Sequence, residues 1–81
     1  MLVRQDLIEI IEDALEIERG TIDDNSNVEW HEKWDSLGHL SILIKLDKRL
    51  DGRCSSISEL SRAFSVEKLM EILEENSLLE Q

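Results

Sequence analysis

Apolar residues recur at three- and four-residue intervals along three stretches of the chain, which is the period of a helix with one buried face. In the first stretch, residues 3–18, the stripe is Val3, Leu7, Ile10, Ile11, Ala14 and Leu15. Arg4, Asp6, Glu9, Glu12, Asp13 and Glu16 fill the opposite face. Ile8 and Ile17 fall off the stripe, and Gly20 is the expected stop. The second stretch starts at Ser36 and runs to Leu50, with Leu37, Leu40, Leu43, Ile44, Leu46 and Leu50 as its stripe and Ile42 widening it. Asp35 is placed to cap it and Asp51-Gly52 to end it. The third runs from Val66 to about Asn76 behind a capping Ser65, with Val66, Leu69, Met70 and Leu73 inward. Leu78 and Leu79 then trail into a tail expected to fray.

The connections differ in kind. Residues 21–35 form a long link rich in Asp and Asn, residues that bond their own backbone and favour turns. A structureless link of that length in so small a chain is usually functional or disordered. Ile22, Val28 and Trp30 are expected to pin it to the core. Ser55-Ser56-Ile57-Ser58 reads as a loop, and residues 58–64 as one or two helical turns. The expected fold is therefore all-α, a small antiparallel bundle of three main helices plus a short one, in a single domain over residues 1–81.

Composition supports this and narrows the function classes. There is no proline or tyrosine, and Trp30, Trp34 and Phe64 are the only aromatics, so residues favouring strands are scarce. The net charge of −10 argues against nucleic acid, whose binding needs clustered Lys and Arg, and against an anionic membrane surface. It suits a positively charged protein partner. Cys54 is the only cysteine, so no internal disulfide is expected and a reducing compartment is suggested. No signal-peptide pattern or membrane-spanning run appears, and the cytoplasm is the expected location.

Candidate chemistry centres on Trp34-Asp35-Ser36-Leu37-Gly38-His39-Leu40. Ser36 stands where a polar loop becomes a helix. Unpaired N–H groups and a partial positive charge make such a place favourable for a phosphate ester. Asp35 could cap the helix or help bind a metal ion brought by a modifying enzyme, and Leu37 would offer that enzyme apolar surface. Gly38, lacking a side chain, is expected to leave room beside Ser36.

Asp35, Ser36 and His39 are the residue types of a hydrolase triad, but so short a chain has little with which to build an oxyanion hole in a dry site. His31, Glu32, Asp35 and His39 lack metal-site spacing, so no metal is expected. Cys54 reads as a small buried hydrophobe. Met70 is expected in the core, lining a space that an acyl chain could enter.

Across nearly its whole length the chain resembles the acyl carrier protein family and the related carrier domains of polyketide and nonribosomal-peptide pathways. The resemblance lies in the order of helix, long loop, Asp35-Ser36-Leu37, short helix and Ser65-Val66-Glu67-Lys68-Leu69. The heptapeptide around Ser36 looks like that of free-standing carriers outside bulk fatty-acid synthesis. The resemblance implies a non-catalytic carrier. A phosphopantetheinyl transferase would move 4′-phosphopantetheine from coenzyme A to Ser36, with Asp35 and Leu37 beside the attachment point. Acyl-loading and acyl-transferring or synthase enzymes would be the partners, and a monomer is implied. An aminoacyl or D-alanyl carrier is a variant of this reading. An acidic helical adaptor without a prosthetic group is the alternative.

One departure from the family concerns charge. Fatty-acid carriers typically expose acids on the second helix, whereas residues 36–53 here hold Lys45, Lys48, Arg49 and Arg53 against Asp47 and Asp51. Residues 1–35 sum to −8 and residues 54–81 to −4. Trp34, His39, Leu40, Lys45 and Lys48 are the expected partner surface, read by enzymes of a dedicated pathway. Otherwise the basic residues pair with Asp47 and Asp51 on a solvated face, which contributes little.

Overall fold

Helix α1 spans Arg4–Leu15 and buries Leu7, Ile8, Ile10, Ile11 and Leu15. In this computed structural model, which describes residues 2–80, it ends earlier than the periodicity suggests. Glu16 takes a left-handed conformation (φ 57°), and the N–H of Ile17 closes on the Glu12 carbonyl. The cause lies in Glu12, which the sequence pattern puts on the polar face but which is buried. Its Oε2 accepts hydrogen bonds from the N–H of Gly20 (2.8 Å) and of Ile22 (3.1 Å). The chain must turn back at residue 16 to bring those amides to the carboxylate, so Gly20 falls in the following turn rather than at the helix end.

Helix α2 spans Ser36–Arg49. The Asp35 carboxylate caps it by accepting from the Gly38 N–H at 2.8 Å. At the other end Asp51 and Gly52 both have positive φ and reverse the chain. The buried stripe is narrower than expected: His39, Ile42 and Leu46, continued by Leu50. Leu37, Leu40 and Ile44, counted inward from the sequence, are 75%, 54% and 49% exposed. The broad stripe exceeds what one face can bury, because α2 packs on α1 and on a 3₁₀ helix at Ser58–Arg62 and leaves its remaining side to solvent. Between α2 and the 3₁₀ helix, the Asp47 carboxylate accepts from the N–H groups of Cys54 and Ser55, both at 3.1 Å.

Helix α3 spans Val66–Glu75, capped by the Ser65 hydroxyl on the Lys68 N–H (3.1 Å), and buries Val66, Leu69, Ile72 and Leu73. Met70 is only partly buried against the core. Beyond α3 the tail does not fray. Leu79–Glu80 form strand β2, which pairs in parallel with β1, Leu2–Val3, in the register Leu2 to Leu79. Leu2, Leu78 and Leu79 are all buried, so hydrophobic burial holds both ends of the described chain together. Helix makes up 52% of the described residues; the protein is mainly helical, as expected, and carries in addition this small two-stranded sheet.

The long loop is anchored by two of the three residues expected to pin it, Ile22 and Val28, but not by Trp30. Ile22, Ser26 and Trp34 are buried, and Val28 packs partly against the core. Val28 N–H donates to the Phe64 carbonyl and Val66 N–H to the Ser26 carbonyl, tying the loop to the start of α3. Trp30 is not an anchor: it is 67% exposed.

Candidate functional site

The site is built at the first turn of α2. Ser36 is the first helical residue and is exposed, as is Asp35 before it. The Asp35 carboxylate is occupied by the Gly38 N–H and its carbonyl by the His39 N–H (2.8 Å). The amides of Ser36 and Leu37, first in the helix, have no intrahelical acceptor. The Ser36 hydroxyl therefore stands among unpaired donors at the positive end of a 14-residue helix.

Gly38 does not leave room for an incoming group. A Cβ there would lie 2.3 Å from the Lys33 carbonyl oxygen and 2.8 Å from Leu15 Cδ2. The space is taken by the chain's own loop and by α1. This close approach presses residues 33–35 against the helix start and fixes where Ser36 emerges.

A second clamp lies beneath. Trp34 and His39, expected on the partner surface, are 1% and 3% exposed and offer nothing to a partner. The indole Nε1 of Trp34 lies 3.0 Å from His39 Nδ1, and His39 Nε2 lies 2.9 Å from the Leu60 carbonyl oxygen. An indole N–H can only donate, so Nδ1 is the acceptor, and Nε2 carries the proton and donates to Leu60. The Phe64 ring packs on His39 with centroids 4.8 Å apart. The loop, α2, the 3₁₀ helix and the approach to α3 thus meet at one imidazole. Both its nitrogens are engaged, so His39 has no free nitrogen to act as a base toward Ser36. Among the described residues no group of three His, Cys, Asp or Glu is arranged to hold a metal ion.

Two open clefts flank the helix. One of about 690 Å³ borders Ser36 and Asp35 and is lined by Val28, Trp30, His31 and Phe64, with Glu29 and Glu32. The other, about 530 Å³, lies between α2 and residues 54–61 and includes Leu43, Ile44, Lys48, Ile57 and Leu60. Met70 lines neither; it borders a separate cavity of about 310 Å³ with Arg4, Glu74 and Leu79. Cys54 is buried, and burial, helped by Asp47, pushes its thiol pKa up, away from the thiolate.

Leu40, Lys45 and Lys48 are exposed on α2. The ion pairing offered as the alternative is not formed. Asp47 is taken by backbone amides, and among the described residues neither lysine has an ion-pair partner. Arg49 reaches Asp6 at 3.5 Å. Periodicity alone did not reveal the Trp34–His39 bond or the buried Glu12. Their only trace in the sequence is an aromatic and an imidazole at the helix start, and an acid between two isoleucines and a leucine.

No family model matches the chain, and no curated protein or solved structure matches it.

Proposed function

We propose that the protein is an acyl-carrier-like carrier and that Ser36 is its attachment point for 4′-phosphopantetheine. The observation that carries this reading is an exposed serine hydroxyl as the first residue of α2, held in place from both sides. The residues fit the group: a phosphodiester on Ser36 Oγ would meet the open amides of Ser36 and Leu37 and the helix dipole. Asp35 is already committed to Gly38, so it holds the helix start rigid while leaving the serine oxygen accessible. When bound, the group would supply a thiol that carries an acyl or aminoacyl cargo to partner enzymes. The chain contributes position and accessibility, with Gly38 and the Trp34–His39 pair setting the direction in which Ser36 projects. Partners under this reading are a phosphopantetheinyl transferase and the enzymes that load and receive the cargo.

The test is intact mass after incubation with coenzyme A and a broad-specificity phosphopantetheinyl transferase. The expected result is a gain of one phosphopantetheinyl group, lost in Ser36→Ala. No gain in a folded sample favours an adaptor without a prosthetic group.

A further inference from the structure

Resting on the reading of Ser36 as the attachment point, we propose that the exposed face of α2 docks a protein partner whose contact surface is apolar at its centre and acidic at its edge. Leu37, Leu40 and Ile44 stand three and four residues apart, so they form one continuous strip, and Lys48 continues it at the next turn. Lys45 lies beside Ile44. Leu40 is also one turn from Ser36, so a partner seated on the strip has the serine oxygen at its margin.

Two observations define the partner's chemistry. First, three large aliphatic side chains are left in water on one helix face, while the opposite face of the same helix is fully buried. An exposed apolar strip bordered by charge is the makeup of an interface core and its rim. Second, the face has the opposite sign to the rest of the protein. Within α2, Lys45, Lys48 and Arg49 face a single acid, Asp47, whose carboxylate is turned to the backbone of Cys54 and Ser55. The whole chain carries −10. An acidic partner is therefore attracted to α2 and repelled by the acid-rich stretches of α1, the long loop and α3, a combination that selects one docking orientation. A basic partner would be drawn to those acidic stretches instead, leaving α2 uncontacted.

The test uses the full chain and one probe in two forms. The probe is an acyltransferase that docks carriers through a lysine- and arginine-rich face, together with the same enzyme carrying glutamate at those positions. Affinities for both forms are measured by titration calorimetry for the unmodified chain and for Lys45→Glu/Lys48→Glu, whose folding is checked by circular dichroism. The unmodified chain should bind the acidic form about tenfold more tightly than the basic one, with the preference reversed for the double variant and weakened by added salt. Leu40→Ser in the otherwise unmodified chain should weaken binding of the acidic form and leave binding of the basic form little changed. If both chains rank the two enzyme forms alike, the proposal is overturned. Binding is read without the prosthetic group, so failure of the Ser36 reading appears separately, as absence of the mass gain.

Discussion

The Trp34 indole donates a 3.0 Å hydrogen bond to His39 across the junction between the long loop and α2, and His39 passes the connection on to the Leu60 carbonyl. Every polar atom in this buried relay is paired. His39→Leu would strand an indole N–H and a carbonyl in the core, and each buried unsatisfied group costs about 1–3 kcal/mol. A loss of about 2–4 kcal/mol is expected in urea unfolding. Trp34→Phe removes the donor and should cost about 1–3 kcal/mol. In a double-mutant cycle the two losses should fall short of adding, because each variant breaks the same bond. Additive losses would show that the pair is not coupled.

Gly38 sets tertiary contact against helix propensity. Alanine is the better helix former by about 1 kcal/mol, so propensity alone makes Gly38→Ala stabilising. The Lys33 carbonyl 2.3 Å from the new Cβ is backbone and cannot simply rotate away. Overpacking of this kind costs about 1–3 kcal/mol, so net destabilisation is expected, with slower modification of Ser36 as residues 33–35 shift. A melting temperature equal to or above that of the unmodified protein would contradict the close approach.

The three helices and both serine- or aspartate-capped starts were legible because period and capping are local properties, set by residues within one turn of each other. Asp35 and Ser65 illustrate this: each bonds an amide three residues on. What sequence could not show was which part of a wide apolar stripe finds a partner. On α2 the choice between Leu40 and His39 for the interior went to histidine, because Trp34 and the Leu60 carbonyl supply what its nitrogens need. The tail is a similar case. Leu78 and Leu79 look like loose ends until Leu2, from the other end of the chain, lies beside them. For the site, the position of Ser36 was readable, whereas the role of Gly38 was not, since the atom it makes way for belongs to a loop.

Glu12 replaces a turn's missing backbone partners. Its Oε2 takes the amides of Gly20 and Ile22, and its Oε1 lies 3.5 Å from Arg19, which also pairs with Asp13 at 3.0 Å. Glu12→Ala would leave two amides without an acceptor and should cost about 2–4 kcal/mol in chemical denaturation. Glu12→Gln keeps an acceptor oxygen and should recover at least half of that loss. Hydrogen exchange at Gly20 and Ile22 is the specific readout. Both amides should be protected in the unmodified protein and lose protection in the alanine variant, ahead of the core amides of α2.

Cys54 gives the fold a dependence on alkaline pH. Burial first, and the neighbouring Asp47 second, raise the pKa of its thiol above the ordinary cysteine value of about 8.5. Above the unfolded-state value the folded chain therefore holds a proton that the unfolded chain has released, and stability falls as pH rises. The contribution is fully present below that pKa and is lost as pH climbs from there through the raised folded value. Urea midpoints recorded at rising pH should fall more steeply for the native chain than for Cys54→Ala, which has nothing to titrate there. Alkylation by iodoacetamide at pH 8 should be slower in the folded protein than in urea, where the thiol is exposed and more of it is thiolate. Equal rates in the two states would mean that the thiol is not shielded by the packing of α2 against the segment that follows it.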